Sequence, residues 1–197
     1  PFSWQSKAMK LTVLGCTGSL AAPGNPGSSY LINAEEGQPG ILMDFGPGAL
    51  AALQEVADPS DAHLVFSHLH ADHCSDTTSL IIWRRFHPTA PARRRHILVG
   101  PSYAPEHLGR LGGNGPNDID DISDTFDIRA WNGRQVDIDA VTVAPYPAVH
   151  PAAESQALRI EHKDSGKVIA FSGDSAYTPT LIDAARRLLL AVLIGGA

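Results

Sequence analysis

The chain has 197 residues, 43% of them hydrophobic and 18% charged. That is enough apolar material for one domain with a sizeable core, in ordinary globular proportions. The net charge of −6 is opposite to that of a surface built to grip nucleic acid, which makes nucleic acid an unfavoured partner. No apolar run reaches the roughly 18 residues that a membrane span needs. The two cysteines, Cys16 and Cys74, make no disulfide framework, so a cytoplasmic setting is expected.

Residues 1–8 carry no signal-peptide pattern and precede Met9, which reads as a natural start. They are set aside as a leader, and 9–197 are taken as a single domain. Lys10 to Leu14 is a β-prone run, followed by a loop from Gly15 to Ser29 rich in Gly, Pro and Ser. Tyr30 to Asn33 and Ile41 to Phe45 read as strands, and Ala49 to Val56 as a helix. His63 to Ser67 is an apolar strand that runs into a cluster of histidines. Ser79 to Phe86 reads as a helix ending before Pro88, Ile97 to Gly100 as a strand, and Tyr103 to Leu108 as a short helix. Leu111 to Asp127, rich in Gly and Asp, reads as a loop or a helix-poor connection. Several β-prone pieces follow between Ile128 and Val143. Ala157 to Glu161 and Lys167 to Phe171 form a hairpin around Asp164-Ser165-Gly166. Thr178 to Leu188 reads as a helix with Pro179 in its first turn, and Leu188 to Ile194 as a buried strand. Strand runs with helices between them imply α/β layering.

The chemistry is concentrated in His68-x-His70-x-Asp72-His73, directly after an apolar strand. In an extended segment residues i and i+2 point to the same side, so His68 and His70 can meet one ion. A turn after His70 would let Asp72 and His73 face a second. Imidazole and carboxylate ligands suit zinc, and also manganese or iron. Two distant partners stand where strands end: His150 in Pro147-Ala148-Val149-His150-Pro151, and Asp174 in Ser172-Gly173-Asp174. The competing reading of Asp174 is a helix N-cap. For the cluster it is a polar surface loop.

His-x-His-x-Asp-His, a later isolated His and a Ser-Gly-Asp at a strand end resemble the metallo-β-lactamase superfamily. Within it the chain is most similar to the ribonuclease Z-like branch and its bacterial cyclic-nucleotide phosphodiesterase relatives. The resemblance runs from Met9 to about Leu190. It implies an αββα sandwich of two mixed β-sheets flanked by helices. It implies two zinc ions, with His68, His70 and His150 on the first, Asp72 and His73 on the second, and Asp174 bridging. The implied activity is metal-dependent hydrolysis of a small phosphodiester such as 3′,5′-cyclic AMP, with Asp72 orienting the attacking water. The alternatives are a ribonuclease Z-like RNA endonuclease, a thioester or lactam hydrolase, and a non-catalytic metal-binding scaffold. Homodimerisation is a further analogy. Relatives continue past the last helix and supply another metal-binding His there, whereas no His follows His162. The second metal is therefore the weaker expectation, and the 197-residue chain is expected to turn over slowly or not at all.

The remaining candidates have plainer readings. His63, His87, His96, His107 and His162 lack partners at useful spacing. Asp44 is expected to fix a turn or to hydrogen-bond a metal ligand. Cys74 is expected to pack inward. Gly15 to Ser19 reads as a loop lining the site, not a P-loop. Arg84-Arg85 and Arg93-Arg94-Arg95 form the one basic cluster, either a solvated face or a phosphate-contacting patch.

Overall fold

The computed structural model describes residues 9–186 and 190–194. The residues 1–8 set aside as a leader lie outside them. Strands β1 (Lys10–Gly15), β2 (Ser29–Asn33) and β3 (Gly40–Phe45) pair antiparallel. β3, β4 (Ala62–Val65), β5 (His96–Gly100) and β6 (Phe126–Ala130) then pair in parallel, completing a six-stranded sheet in chain order. Every residue of β3 and of β4 is buried, as central parallel strands covered on both faces must be. The parallel crossovers carry helices α1 (Ala49–Gln54), α2 (Ala71–Cys74), α3 (Thr77–Phe86) and α4 (Ala104–Gly112). In the second sheet β7 (Val136–Ile138), β8 (Val141–Pro147), β9 (Gln156–His162) and β10 (Val168–Asp174) pair antiparallel, and β11 (Leu190–Ile194) adds in parallel to β10. Helix α5 (Pro179–Ala184) lies between β10 and β11 in the chain and packs against β8 and β9.

Side-chain alternation sorts the core into two layers. Leu42, Leu64 and Leu98 join Leu53, Leu80 and Leu108 from the helices. Their chain neighbours Met43, Val65 and Val99 point the other way and meet Val143, Ile160 and Phe171 of the second sheet. The result is the αββα sandwich.

The structure departs from the sequence expectations in four places. The segment expected to be a loop from Leu111 to Asp127 instead begins inside α4, contains a short 3₁₀ turn at Ile122–Asp124 and ends inside β6. Asp121 caps that turn, accepting from the Ser123 amide at 3.0 Å. α5 stops at Ala184, short of the expected Leu188, which lies outside the described residues. β8 continues through Pro145 and Pro147. It pairs with β7 only as far as Val143, so the prolines sit where no N–H is needed on that side. α2 was not foreseen. Both cysteines are free, Cys16 exposed and Cys74 buried. Among the described residues no helix is long and apolar enough to cross a membrane.

Candidate metal centre

Three chain ends meet at one edge of the sandwich. The first follows β4, where the chain bends at Ser67 and reaches His70 in extended backbone before α2 turns it. The second is the β8–β9 connection carrying His150, and the third is the end of β10 at Asp174. Backbone bonds join them. The Gln156 amide donates to the Ser67 carbonyl at 3.0 Å, and the Ala176 amide donates to the Val149 carbonyl at 2.7 Å. Glycines permit the close approach. A Cβ on Gly46 would stand 2.0 Å from the Asp72 carbonyl oxygen. Gly173, at φ +52, passes against Ser67.

All six residues singled out in the sequence converge here. Donor atoms of His68, His70 and His150 lie within 4.8 Å of one another, as do those of Asp72, His73 and Asp174. The Asp174 carboxylate reaches toward both groups. Its Oδ1 is 3.2 Å from His73 Nε2 and its Oδ2 is 4.0 Å from His150 Nε2. His68 and His73 are fully buried and form the floor. His70, Asp72, His150 and Asp174 are partly exposed and form the rim. Asp174 ends a strand and bonds toward His73, so it does not act as a helix cap; Thr178 is the N-cap of α5.

Asp44 and Ser67 decide how the floor histidines present themselves. Asp44 is buried at the end of β3 in left-handed backbone, φ 54. Its Oδ1 accepts from the Ser67 amide at 2.8 Å, and its Oδ2 accepts from the Ser67 hydroxyl at 2.7 Å. The same Oδ2 lies 2.6 Å from His73 Nδ1. A carboxylate only accepts, so His73 carries its proton on Nδ1. The Ser67 hydroxyl has its single proton committed to Asp44, so it accepts from His68 Nδ1, 3.0 Å away. In the neutral form both rings therefore leave the lone pair on Nε2. Both Nε2 atoms are buried and without a hydrogen-bond partner. His73 Nε2 sits 3.4 Å from Asp72 and 3.2 Å from Asp174 without hydrogen-bond geometry to either.

The charges follow from these contacts. Burial lowers the His68 pKa to about 4. For His73 burial also opposes charge, but Asp44 and Asp174 outweigh it and push the ring up to about 10, so without an ion the ring holds a second proton, on Nε2, which a bound cation would displace. Contact with the His73 ring, 3.2 Å away, holds the Asp174 carboxyl below its ordinary range. Buried, partnerless imidazole nitrogens facing carboxylates fit a pair of divalent cations with nitrogen and oxygen ligands.

Cys74 is no part of this set. Burial raises its thiol to about 12, and its Sγ donates to the Leu69 carbonyl at 3.5 Å. Asp44 takes the ligand-orienting role the sequence allowed it, whereas Ser67 was missed; its signal was a hydroxyl directly before the first histidine. Of the loop between β1 and β2, Ser28 donates its amide to the Asp72 carbonyl at 3.1 Å, bracing α2 from behind. The basic cluster divides. Arg84 is neither solvated nor available to phosphate, because it is buried and donates to the carbonyls of Pro59, Ser60 and Ala62 and to His96 Nδ1. His63 and His96 prove to be well partnered, with Asp139 and Asp61 at 3.0 and 2.9 Å.

The layered sheets and the His/Asp cluster at their edge define a metallo-β-lactamase fold protein. The crystal structure of the metallo-β-lactamase fold protein YhfI from Bacillus subtilis superposes with a TM-score of 0.73 at 22% identity, covering 93% of this chain and 69% of that one. The chain belongs to the family described as the anti-Pycsar protein Apyc1, whose sequence profile matches residues 9–194. An uncharacterized protein of Mycobacterium tuberculosis is 42% identical over 180 residues, covering 91% of this chain and 64% of the relative. A ribonuclease Z of Mycobacterium sp. (strain KMS) is 28% identical over 198 residues, covering 88% and 64%. The chain thus spans a little under two thirds of the length of these relatives.

Proposed function

We propose that this chain is the metal-holding part of a phosphodiesterase, with zinc as its metal and a small phosphodiester such as 3′,5′-cyclic AMP as its substrate. The observation that carries this reading is the pair of buried, partnerless Nε2 atoms on His68 and His73, each inside its own cluster of donors and spanned by Asp174. Bound divalent cations would supply Lewis acidity and make water nucleophilic at neutral pH. His68, His70 and His150 would hold one, Asp72 and His73 the other, and Asp174 both. Asp72, on the partly exposed rim, would accept a hydrogen bond from the attacking water and orient it. The similarity to ribonuclease Z favours phosphorus over carbonyl chemistry. The net charge of −6 favours a small substrate over RNA.

The test is metal content by elemental analysis, followed by hydrolysis of bis(p-nitrophenyl) phosphate and cyclic AMP by the zinc-loaded chain and its Asp72→Asn variant. About two ions per chain, with turnover that the substitution removes, is the supporting result. Turnover on thioesters or lactams alone would move the reading to carbonyl substrates. Metal binding with no turnover on any of them would make the chain a scaffold. Tight RNA binding with a steep salt dependence would favour the endonuclease instead.

A further inference from the structure

A second site lies at the other end of the first sheet. The metal ligands follow the C-terminal end of β4, whereas α3 ends and β5 begins at the N-terminal ends of the same strands. The separation along β4 is roughly 15 Å at strand rise. Between Phe86 and His96 the chain folds back on itself, and the Ala92 amide takes up the last-turn carbonyl of Arg84 at 2.8 Å. A cavity of about 620 Å³ lies between this return and the 3₁₀ turn at Ile122–Asp124. Its volume is in the range that holds a small molecule.

The lining is unusual for so acidic a chain. From Arg84 to Arg95 there are five arginines and no acid, and the one carboxylate on the lining, Asp124, is paired with Arg85. Three are engaged: Arg84 in the core, Arg85 with Asp120 and Asp124, both at 2.6 Å, and Arg94 with Asp61 at 3.3 Å. Arg95 spends one donor on the Ser123 carbonyl at 3.1 Å. Arg93 has no hydrogen bond or ion pair among the described residues. Both Arg93 and Arg95 are exposed and line the cavity. A guanidinium offers five donors in a planar fork, a geometry that matches phosphate oxygens in pairs. Phe86 lines the same cavity with 72% of its surface exposed. An exposed ring beside guanidinium groups with donors to spare offers a flat base something to stack on.

We infer that this cavity binds a nucleoside phosphate, with Arg93 and Arg95 on the phosphate and Phe86 under the base. The ligand is either a free nucleotide or one unit of a single-stranded RNA. The site is separate from the metal centre and does not depend on the reaction proposed there.

The experiment is a titration of the ¹⁵N-labelled, zinc-loaded chain with ADP, with inorganic phosphate and with a short single-stranded RNA, followed by amide shifts. ADP is expected to move the amides of Phe86, Ala92 to Arg95 and Thr125. Combining Arg93→Ala with Arg95→Ala should weaken that response about tenfold or more. Phe86→Ala should weaken ADP but not phosphate. These residues are exposed, so the variants should melt like the parent. RNA binding far more tightly than ADP would assign the site to RNA, and equal affinities would assign it to free nucleotide. Phosphate binding as tightly as ADP would overturn the nucleoside assignment. Shifts confined to the amides from His68 to His73, or no response at millimolar ligand, would overturn the site itself.

Discussion

Replacing Asp44 by Asn tests the tautomer argument with almost no change of shape. Asn adopts the left-handed backbone found at this position, φ 54, at least as readily as Asp. The new amide can still accept from the Ser67 N–H. Its NH₂ then points at the Ser67 hydroxyl and His73 Nδ1, which lie 2.7 and 2.6 Å from Oδ2. His73 Nδ1 must now accept, so its proton moves to Nε2. The Ser67 hydroxyl accepts from the amide and turns its own proton to His68 Nδ1, so that ring reverses as well. Both nitrogens offered to metal become N–H. Loss of one such orienting contact typically costs 10–100-fold in metal affinity, so two together should cost about 100-fold or more, near 2.8 kcal/mol. Because the Asp44–His73 pair is fully buried, the metal-free protein should also lose about 3 kcal/mol of stability. Zinc affinity by chelator competition and imidazole ¹⁵N shifts of the metal-free protein read the two effects separately. Unchanged affinity, with His73 Nδ1 still protonated, would refute the reasoning.

Gly46→Ala places a methyl 2.0 Å from the Asp72 carbonyl oxygen. It should cost about 3 kcal/mol of stability and displace Asp72, as measured by urea unfolding and zinc affinity. His96 is buried and its pKa is lowered to about 4 from 6.5, by desolvation and then by Arg84. Between those values the unfolded chain binds a proton that the folded chain does not. Stability from this group is therefore complete above pH 6.5 and lost as pH falls toward 4, by at most about 3 kcal/mol. His96→Gln should flatten that part of the stability–pH curve; an unchanged slope would show that another group controls it. Stripping zinc with a chelator should lower Tm, with about 4 kcal/mol lost if free metal had stood at a thousand times its Kd. No change in Tm would mean that the folded state gains nothing from the ion.

The strands were legible as short apolar runs bounded by turn residues. The assignment of Leu42, Leu64 and Leu98 to one layer and Met43, Val65 and Val99 to the other was not, because both faces of these parallel strands are apolar and buried. What escaped depends on tertiary context. α2 is four residues long, too short for any helical periodicity, and is held by the amide of Ser28 from behind. The turn at Ile122–Asp124 rests on a side-chain cap and on Arg85, 36 to 39 positions away. Arg84 looked like surface charge until the chain folded three carbonyls onto it. The six clustered residues were legible because motif spacing and strand ends carry them. Ser67 was not, because its role lies in where one hydroxyl proton goes.

That last point separates the histidines of this chain more sharply than burial does. His63 accepts from the Ile97 amide on Nδ1 and donates to Asp139 from Nε2. His96 accepts from Arg84 on Nδ1 and donates to Asp61 from Nε2. Each has both nitrogens spent, so each is structural. His68 and His73 are just as buried, but a carboxylate and a hydroxyl consume Nδ1 and leave Nε2 free. A free nitrogen is not sufficient. His162 also leaves Nε2 without a partner, yet among the described residues no cluster of donors includes it. A ligand needs the spare lone pair and the converging neighbours together. At the C-terminal end of β4 Asp44 provides the first and the meeting of three chain ends the second. At the N-terminal end Arg84 removes the first. The same parallel strands thus carry a candidate metal centre at one end and a polar plug at the other.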